Sequence, residues 1–129
     1  MSQFLILKKR KDFLRAANDV SFVCSNVIVQ AARPVFGEEE RSPRVGFTAT
    51  KRLGKAHIRN RTKRRLRAVV REYYEKYMLA NVDYVLIGRY ATHCCPYKDL
   101  KADVKYALKK INKIITKGTD DEKDPASAD

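Results

Sequence analysis

Apolar residues recur along this chain in two rhythms: short β-branched runs, and longer stretches with an apolar residue every third or fourth position. Phe13, Leu14 and Ala17 lie at helical spacing and predict a short first helix over residues 8–18. Val20–Val23 and Val27–Ala32 are β-branched and apolar, which predicts two strands. Pro34, Gly37, the run Glu38-Glu39-Glu40 and Pro43 mark a solvated loop, and residues 45–50 predict a third strand. From 58 to about 78 the rhythm turns helical, with Ile58, Thr62, Leu66, Val69, Val70, Tyr73 and Tyr77 on one side. Asn81 interrupts it. Residues 83–89 (DYVLIGR) are nearly all apolar and suit a buried strand. Pro96 opens a last helix, with Leu100, Val104, Leu108, Ile111 and Ile115 on one face and Gly118 as its stop.

The order α-β-β-β-α-β-α, with amphipathic helices and a mostly apolar sheet, predicts an α+β fold built as a two-layer α/β sandwich. At 129 residues the chain has room for one domain with a modest core. We place that domain at residues 1–118. Residues 119–129 (TDDEKDPASAD) are acidic, contain proline and are nearly without apolar groups, so they are expected to form a disordered tail. No apolar run approaches the roughly 18 residues of a membrane span. Phe4-Leu5-Ile6-Leu7 is too short for a signal-peptide core, and its positive charges follow rather than precede it. A cytoplasmic location is the expectation. Cys24, Cys94 and Cys95 suggest no disulfide framework, since adjacent cysteines bridge each other poorly.

Charge changes the picture. The formal net charge is +13 and the pI about 9.9, which implies a polyanionic partner. Residues 51–71 carry Lys51, Arg52, Lys55, Arg59, Arg61, Lys63, Arg64, Arg65, Arg67 and Arg71, and no acid. On the helical projection Asn60, Arg61, Arg64, Arg67 and Arg71 oppose the apolar face. Lys63 and Arg65 sit at its two margins, and Arg59 lies in the first turn. A solvated helix face normally mixes both signs for mutual support. This one is almost all arginine, whose planar fork grips phosphate oxygens and stacks on bases. A basic leucine-zipper reader of DNA would continue into leucine heptads, and a helix-turn-helix would need a second short helix nearby. The chain offers neither, so RNA rather than DNA is the expected partner, with no membrane.

The residues a nuclease needs are not gathered. Metal-assisted hydrolysis calls for clustered carboxylates, yet the densest acids, Glu38 to Glu40 and Asp120 to Glu122, lie in a loop and in the tail. No Ser/His/Asp set or phosphate-cradling glycine loop is present. His93-Cys94-Cys95 is too compact for a structural zinc site, and His57 takes no catalytic role. The chain has the character of a binder that assists chemistry located elsewhere.

At this point the residues become recognisable. Arg44-Val45-Gly46-Phe47, then Lys51-Arg52-Leu53-Gly54-Lys55-Ala56, then Arg59-Asn60-Arg61-x-Lys63-Arg64-x-Leu66-Arg67 resembles the protein subunit of bacterial ribonuclease P. The likeness covers about residues 4 to 117, and 83–89 resembles that family's last strand. It implies a four-stranded sheet on helices with a left-handed β-α-β crossover, a hand that the general rule for such connections would not give. It implies a protein cofactor for an RNA that removes the 5′ leader of precursor tRNA. Mg²⁺ would sit at the RNA active site, with none held tightly by the protein. Carried over by position, Arg59, Asn60, Arg61, Lys63, Arg64 and Arg67 would contact the catalytic RNA. Lys51, Arg52 and Lys55 would line the approach to the leader, and Phe13 would be the first aromatic of a leader cleft between the first helix and the sheet. Two departures stand out: Ala17 and Gln30 occupy positions where the family often has aromatics. Thr62 replaces a usually apolar residue, but its methyl can still pack.

Two other readings compete. A structural ribosomal or RNA-chaperone protein of the same fold would not discriminate precursor from mature tRNA. A protein-only nuclease would cleave without any RNA partner.

Overall fold

The computed structural model describes residues 4–117. The expected disordered tail at 119–129 lies outside them. Five strands form one mixed sheet: β1 (Leu5–Ile6), β2 (Val20–Val23), β3 (Val27–Ala32), β4 (Arg44–Thr48) and β5 (Asp83–Gly88). Their spatial order is β1-β4-β5-β3-β2. The helices are α1 (Arg10–Ala17), α2 (Ala56–Tyr77) and α3 (Tyr97–Lys117), with 3-10 turns at Lys51–Leu53 and Tyr90–His93.

The expected sequence of elements is present, with boundaries shifted by a few residues. The strand count is corrected from four to five. The extra strand is part of the apolar run at the N-terminus, and it pairs in parallel with Arg44 and Val45 of β4. Its sequence lacks the alternation that would announce a strand, because Leu5 and Ile6 are both about half exposed and only Leu7 beyond them is buried. Backbone pairing holds it: Leu5 N–H donates to Pro43 O and Leu7 N–H to Val45 O, each at 2.9 Å.

β4 and β5 are parallel neighbours joined through α2, and β3 runs antiparallel to β5, with Val29 opposite Leu86. The alternation of β3 and β5 sorts the core into two clusters. Val27, Val29, Ala31, Tyr84 and Leu86 face Leu66, Val69 and Val70 of α2 and Leu100, Val104, Leu108 and Ile111 of α3. This is the sheet-on-helices sandwich. Ala32 and Val85 face the other way and meet Leu7 and Ala16, with Phe13 and Ile87 at the margin. α1 therefore lies across the opposite face, over a smaller cluster. Thr62 is fully buried on α2. Its hydroxyl donates to Ile58 O at 2.8 Å, and a side chain at Gly88 would run into its methyl, so the methyl packs as expected.

At the opposite end of the sheet from the basic segment, three arginines converge on Asp83, whose carboxylate is wholly buried. Arg44 grips it with two bonds of 2.8 and 2.7 Å, Arg15 reaches it from α1 at 2.8 Å, and Arg41 from the β3–β4 loop at 3.1 Å. Burial alone pushes the Asp83 carboxyl up. The Arg44 bonds and the charges of Arg44, Arg41 and Arg15 outweigh it and hold the group below its usual range. The hub ties α1, the β3–β4 loop, β4 and β5 together.

Candidate nucleic-acid interface

The basic segment begins where β4 ends. β1 covers only the first half of β4, so Phe47 and Thr48 lie at the edge of the sheet. The chain turns through Lys51–Leu53 and Gly54, whose φ of +131° suits glycine, and enters α2. Lys55 is the N-cap, no side chain caps the helix, and its first turn holds no acid. The positive end of the helix dipole is thus left to the basic residues and to whatever anion they meet. Four buried residues, Thr62, Leu66, Val69 and Val70, fix the rotation of α2 on the sheet. With that face buried, Asn60, Arg61, Arg64, Arg67 and Arg71 are exposed.

The structure divides these cations by use. Among the described residues, no acid lies at ion-pair distance from Arg59, Arg61, Lys63, Arg64, Arg67 or Arg71. Arg61 Nε donates to His93 O at 2.8 Å, which steadies its stem, and Arg59 makes a long 3.4 Å contact to Gly54 O. Arg67 lies over the Phe47 ring, 5.5 Å from its centroid. The two marginal residues go opposite ways. Arg65 is taken by the fold, donating to Thr92 O at 2.6 Å and Cys95 O at 2.7 Å. Lys63 turns toward α1.

There it meets the residue expected to mark the leader cleft. Phe13, Lys63, Lys8, Arg10, Phe47, Thr48 and Ala49 line one surface depression at the exposed end of β4. Phe13 reaches it because β4 carries glycine beneath the ring. A Cβ on Gly46 would stand 2.5 Å from Phe13 Cε1 and 2.6 Å from Cζ. Lys51, Arg52 and Lys55 are exposed on the turn leading out of this depression. Ala17 is exposed at the far end of α1, and Gln30 occupies the α1 face of the sheet, two residues before Ala32. Of the residues expected to contact leader or catalytic RNA, Phe13 and Lys63 meet in this depression, and Lys63 joins it to α2.

Phe47, Lys8 and Arg10 were not anticipated. Phe47 sits in a strand and is naturally counted as core. Its signal was its place: the last aromatic before an acid-free basic run. Lys8 and Arg10 both precede Phe13 closely in the sequence, and that nearness was their signal.

Among the described residues, no three His, Cys, Asp or Glu side chains gather closely enough to hold a metal ion. Several acids are already engaged: Asp83 by three arginines, Asp19 by Arg33, Glu38 by Arg41 and Glu72 by Lys101. No described helix is long and apolar enough to cross a membrane.

Comparison with known proteins identifies the family and the fold. A family model described as Ribonuclease P matches residues 1–112. The ribonuclease P protein component of Paramagnetospirillum magneticum is 42% identical over 111 residues, covering 84% of this chain and 83% of that protein. That of Ruegeria pomeroyi is 42% identical over 108 residues, covering 83% and 86%. The fold is similar to the RNase P protein of Staphylococcus aureus, with a TM-score of 0.67, 21% identity and coverage of 88% and 99%. It is similar also to that of Thermotoga maritima, with a TM-score of 0.66, 23% identity and coverage of 81% and 94%. The chain belongs to the ribonuclease P protein family.

Proposed function

We propose that this member of the family is the RNA-binding protein component of ribonuclease P, which supports removal of the 5′ leader from precursor tRNA by a catalytic RNA. The observation that carries the reading is the exposed, acid-free face of α2 together with Lys63 of the same helix, which lines the depression beside Phe13. The α2 face, Arg59, Asn60, Arg61, Arg64 and Arg67, grips the phosphate backbone of the catalytic RNA. The leader runs along the depression, with Phe13 and Phe47 offering rings to its bases and Lys8, Arg10 and Lys63 meeting its phosphates. Lys51, Arg52 and Lys55 guide the strand between the two.

The chemistry then belongs to the RNA. Mg²⁺ held there supplies the Lewis acid and the activated water. The protein's own contribution is to orient the leader and to take over part of the cation atmosphere around crowded phosphates.

The test is reconstitution. Purified chain, a bacterial ribonuclease P RNA and precursor tRNA are combined over a Mg²⁺ series. The chain should lower the Mg²⁺ needed for 5′ maturation and should be inactive alone. Robust cleavage by rigorously RNA-free protein would overturn the assignment, and no shift in Mg²⁺ requirement would favour a structural or chaperone role.

A further inference from the structure

Among the described residues, a second lysine-rich surface lies on α3, away from the depression and the outward face of α2. From Val104 to the end of the helix the sequence carries five lysines, Lys105, Lys109, Lys110, Lys113 and Lys117, and no acid. Burial of Val104, Ala107, Leu108 and Ile111 sets the rotation of the helix. It leaves Lys105, Lys109 and Lys113 exposed, four residues apart and stacked along one side. Like charges at that spacing repel, so an anion laid along the row would stabilise it. Tyr106 stands beside this row, 54% exposed. Its ring is braced edge-on by Phe22 of β2 at 5.5 Å, and Lys110 Nζ lies 5.5 Å from its centroid.

The face is joined to α2. Along the seam between the helices, Arg65 lies over Tyr97 at 5.9 Å, Lys101 between Tyr97 and Tyr73 at 5.8 and 5.9 Å, and Lys105 against Tyr77 at 5.8 Å. Cations and rings therefore alternate from the basic helix to the lysine row.

We propose that the outer face of α3, Lys105, Lys109 and Lys113 beside Tyr106, binds a second stretch of single-stranded RNA. Lysines in a row track phosphates whatever the sequence, and a braced, exposed ring offers a base a stacking surface. An anionic membrane is the poorer fit, because a membrane-surface helix needs bulky apolar residues beside its lysines. Here the bulky aliphatic residues of α3 serve the core.

The probe is a short fluorescent oligouridine, titrated by anisotropy across a salt series. Changing Lys105, Lys109 and Lys113 together to Gln should lower the log–log salt slope by about 2, at roughly 0.7 per lost phosphate contact. Tyr106→Ala should weaken binding about fivefold or more with the slope unchanged, and Tyr106→Phe should restore it. Both effects should persist when Arg61, Arg64 and Arg67 are already Ala, which separates this surface from the α2 reading. The three lysines are exposed, so the Gln variant's unfolding midpoint should match the parent's. Parental slope and affinity in the Gln variant overturn the proposal while leaving the α2 reading standing. So does binding to phosphatidylglycerol vesicles that needs these lysines while oligouridine binding does not.

Discussion

Arg15, Arg41 and Arg44 converge on one buried carboxylate, whereas Arg61, Arg64, Arg67 and Arg71 meet no acid among the described residues. The two groups share a residue type and a chain, and they do opposite work. At Asp83 the guanidinium fork ties four segments of the fold together, and its charge is spent inside the molecule. On α2 the same fork is held outward by a buried apolar face, and its charge is left for a partner. Arginine density alone therefore does not mark a nucleic-acid surface. What marks it is arginine without acid, on an element whose rotation is fixed by packing.

The hub gives the largest effect. Asp83→Asn leaves three guanidiniums crowded round a neutral amide, and breaking a buried ion pair from one side costs about 3 to 5 kcal/mol. A urea or thermal unfolding curve should show that loss, with the salt slope of RNA binding kept in the folded fraction. Because the folded carboxyl titrates below its ordinary value of 3.8, its stabilisation is complete above that value. It is lost as pH falls through the folded value. Acid unfolding of the parent should thus steepen below about pH 4, and Asp83→Asn should lack that component.

Phe13→Ala comes next, because this ring belongs to both worlds. It is only partly buried over Leu7 and Ala16, so the stability cost should fall short of the roughly 3 to 5 kcal/mol of a core phenylalanine. If it forms part of a leader cleft, as proposed, it offers stacking worth about 1 to 3 kcal/mol per base. Precursor tRNA should bind the mutant holoenzyme more weakly, with mature tRNA nearly unchanged. A collapsed unfolding midpoint with parental discrimination would return Phe13 to the core.

Arg67→Lys is the finest probe. It keeps the charge and loses the flat cation over Phe47, worth about 0.5 to 1 kcal/mol at an exposed site. Folding stability should fall by about that amount, and RNA affinity should drop modestly at constant salt slope, because lysine grips phosphate at a single point rather than with a fork. Unchanged affinity would mean that Arg67 serves only through its charge.

The same contrast explains what the sequence could disclose. α2 was legible in both its faces, because a helix writes its burial as a 3.6-residue period and its acid-free side as a run of one sign. The outcome for Thr62 was legible too, since a methyl packs where a methylene did. The hub was not. Its arginines lie 68, 42 and 39 residues from Asp83 in sequence, and nothing local joins them. β1 was missed because two half-exposed residues carry no alternation. Phe47 was missed because a strand phenylalanine at a sheet edge has the same sequence signature as one in the core. Arg65 and Lys63 looked equivalent at the helix margins. Only the position of the Tyr90–His93 turn on one side and of α1 on the other assigns one to the fold and the other to the depression beside Phe13.

The most direct test is the salt dependence of binding to a bacterial ribonuclease P RNA, comparing the parent with Arg61, Arg64 and Arg67 changed together to Ala. Three phosphate contacts at roughly 0.7 to 0.9 each should take about 2 to 3 from the log–log slope and lower affinity at moderate salt. The unfolding midpoint should stay close to the parent's, because alanine is a good helix former and none of the three is buried. Unchanged affinity and slope would show that the face of α2 is only solvated, and would contradict the account.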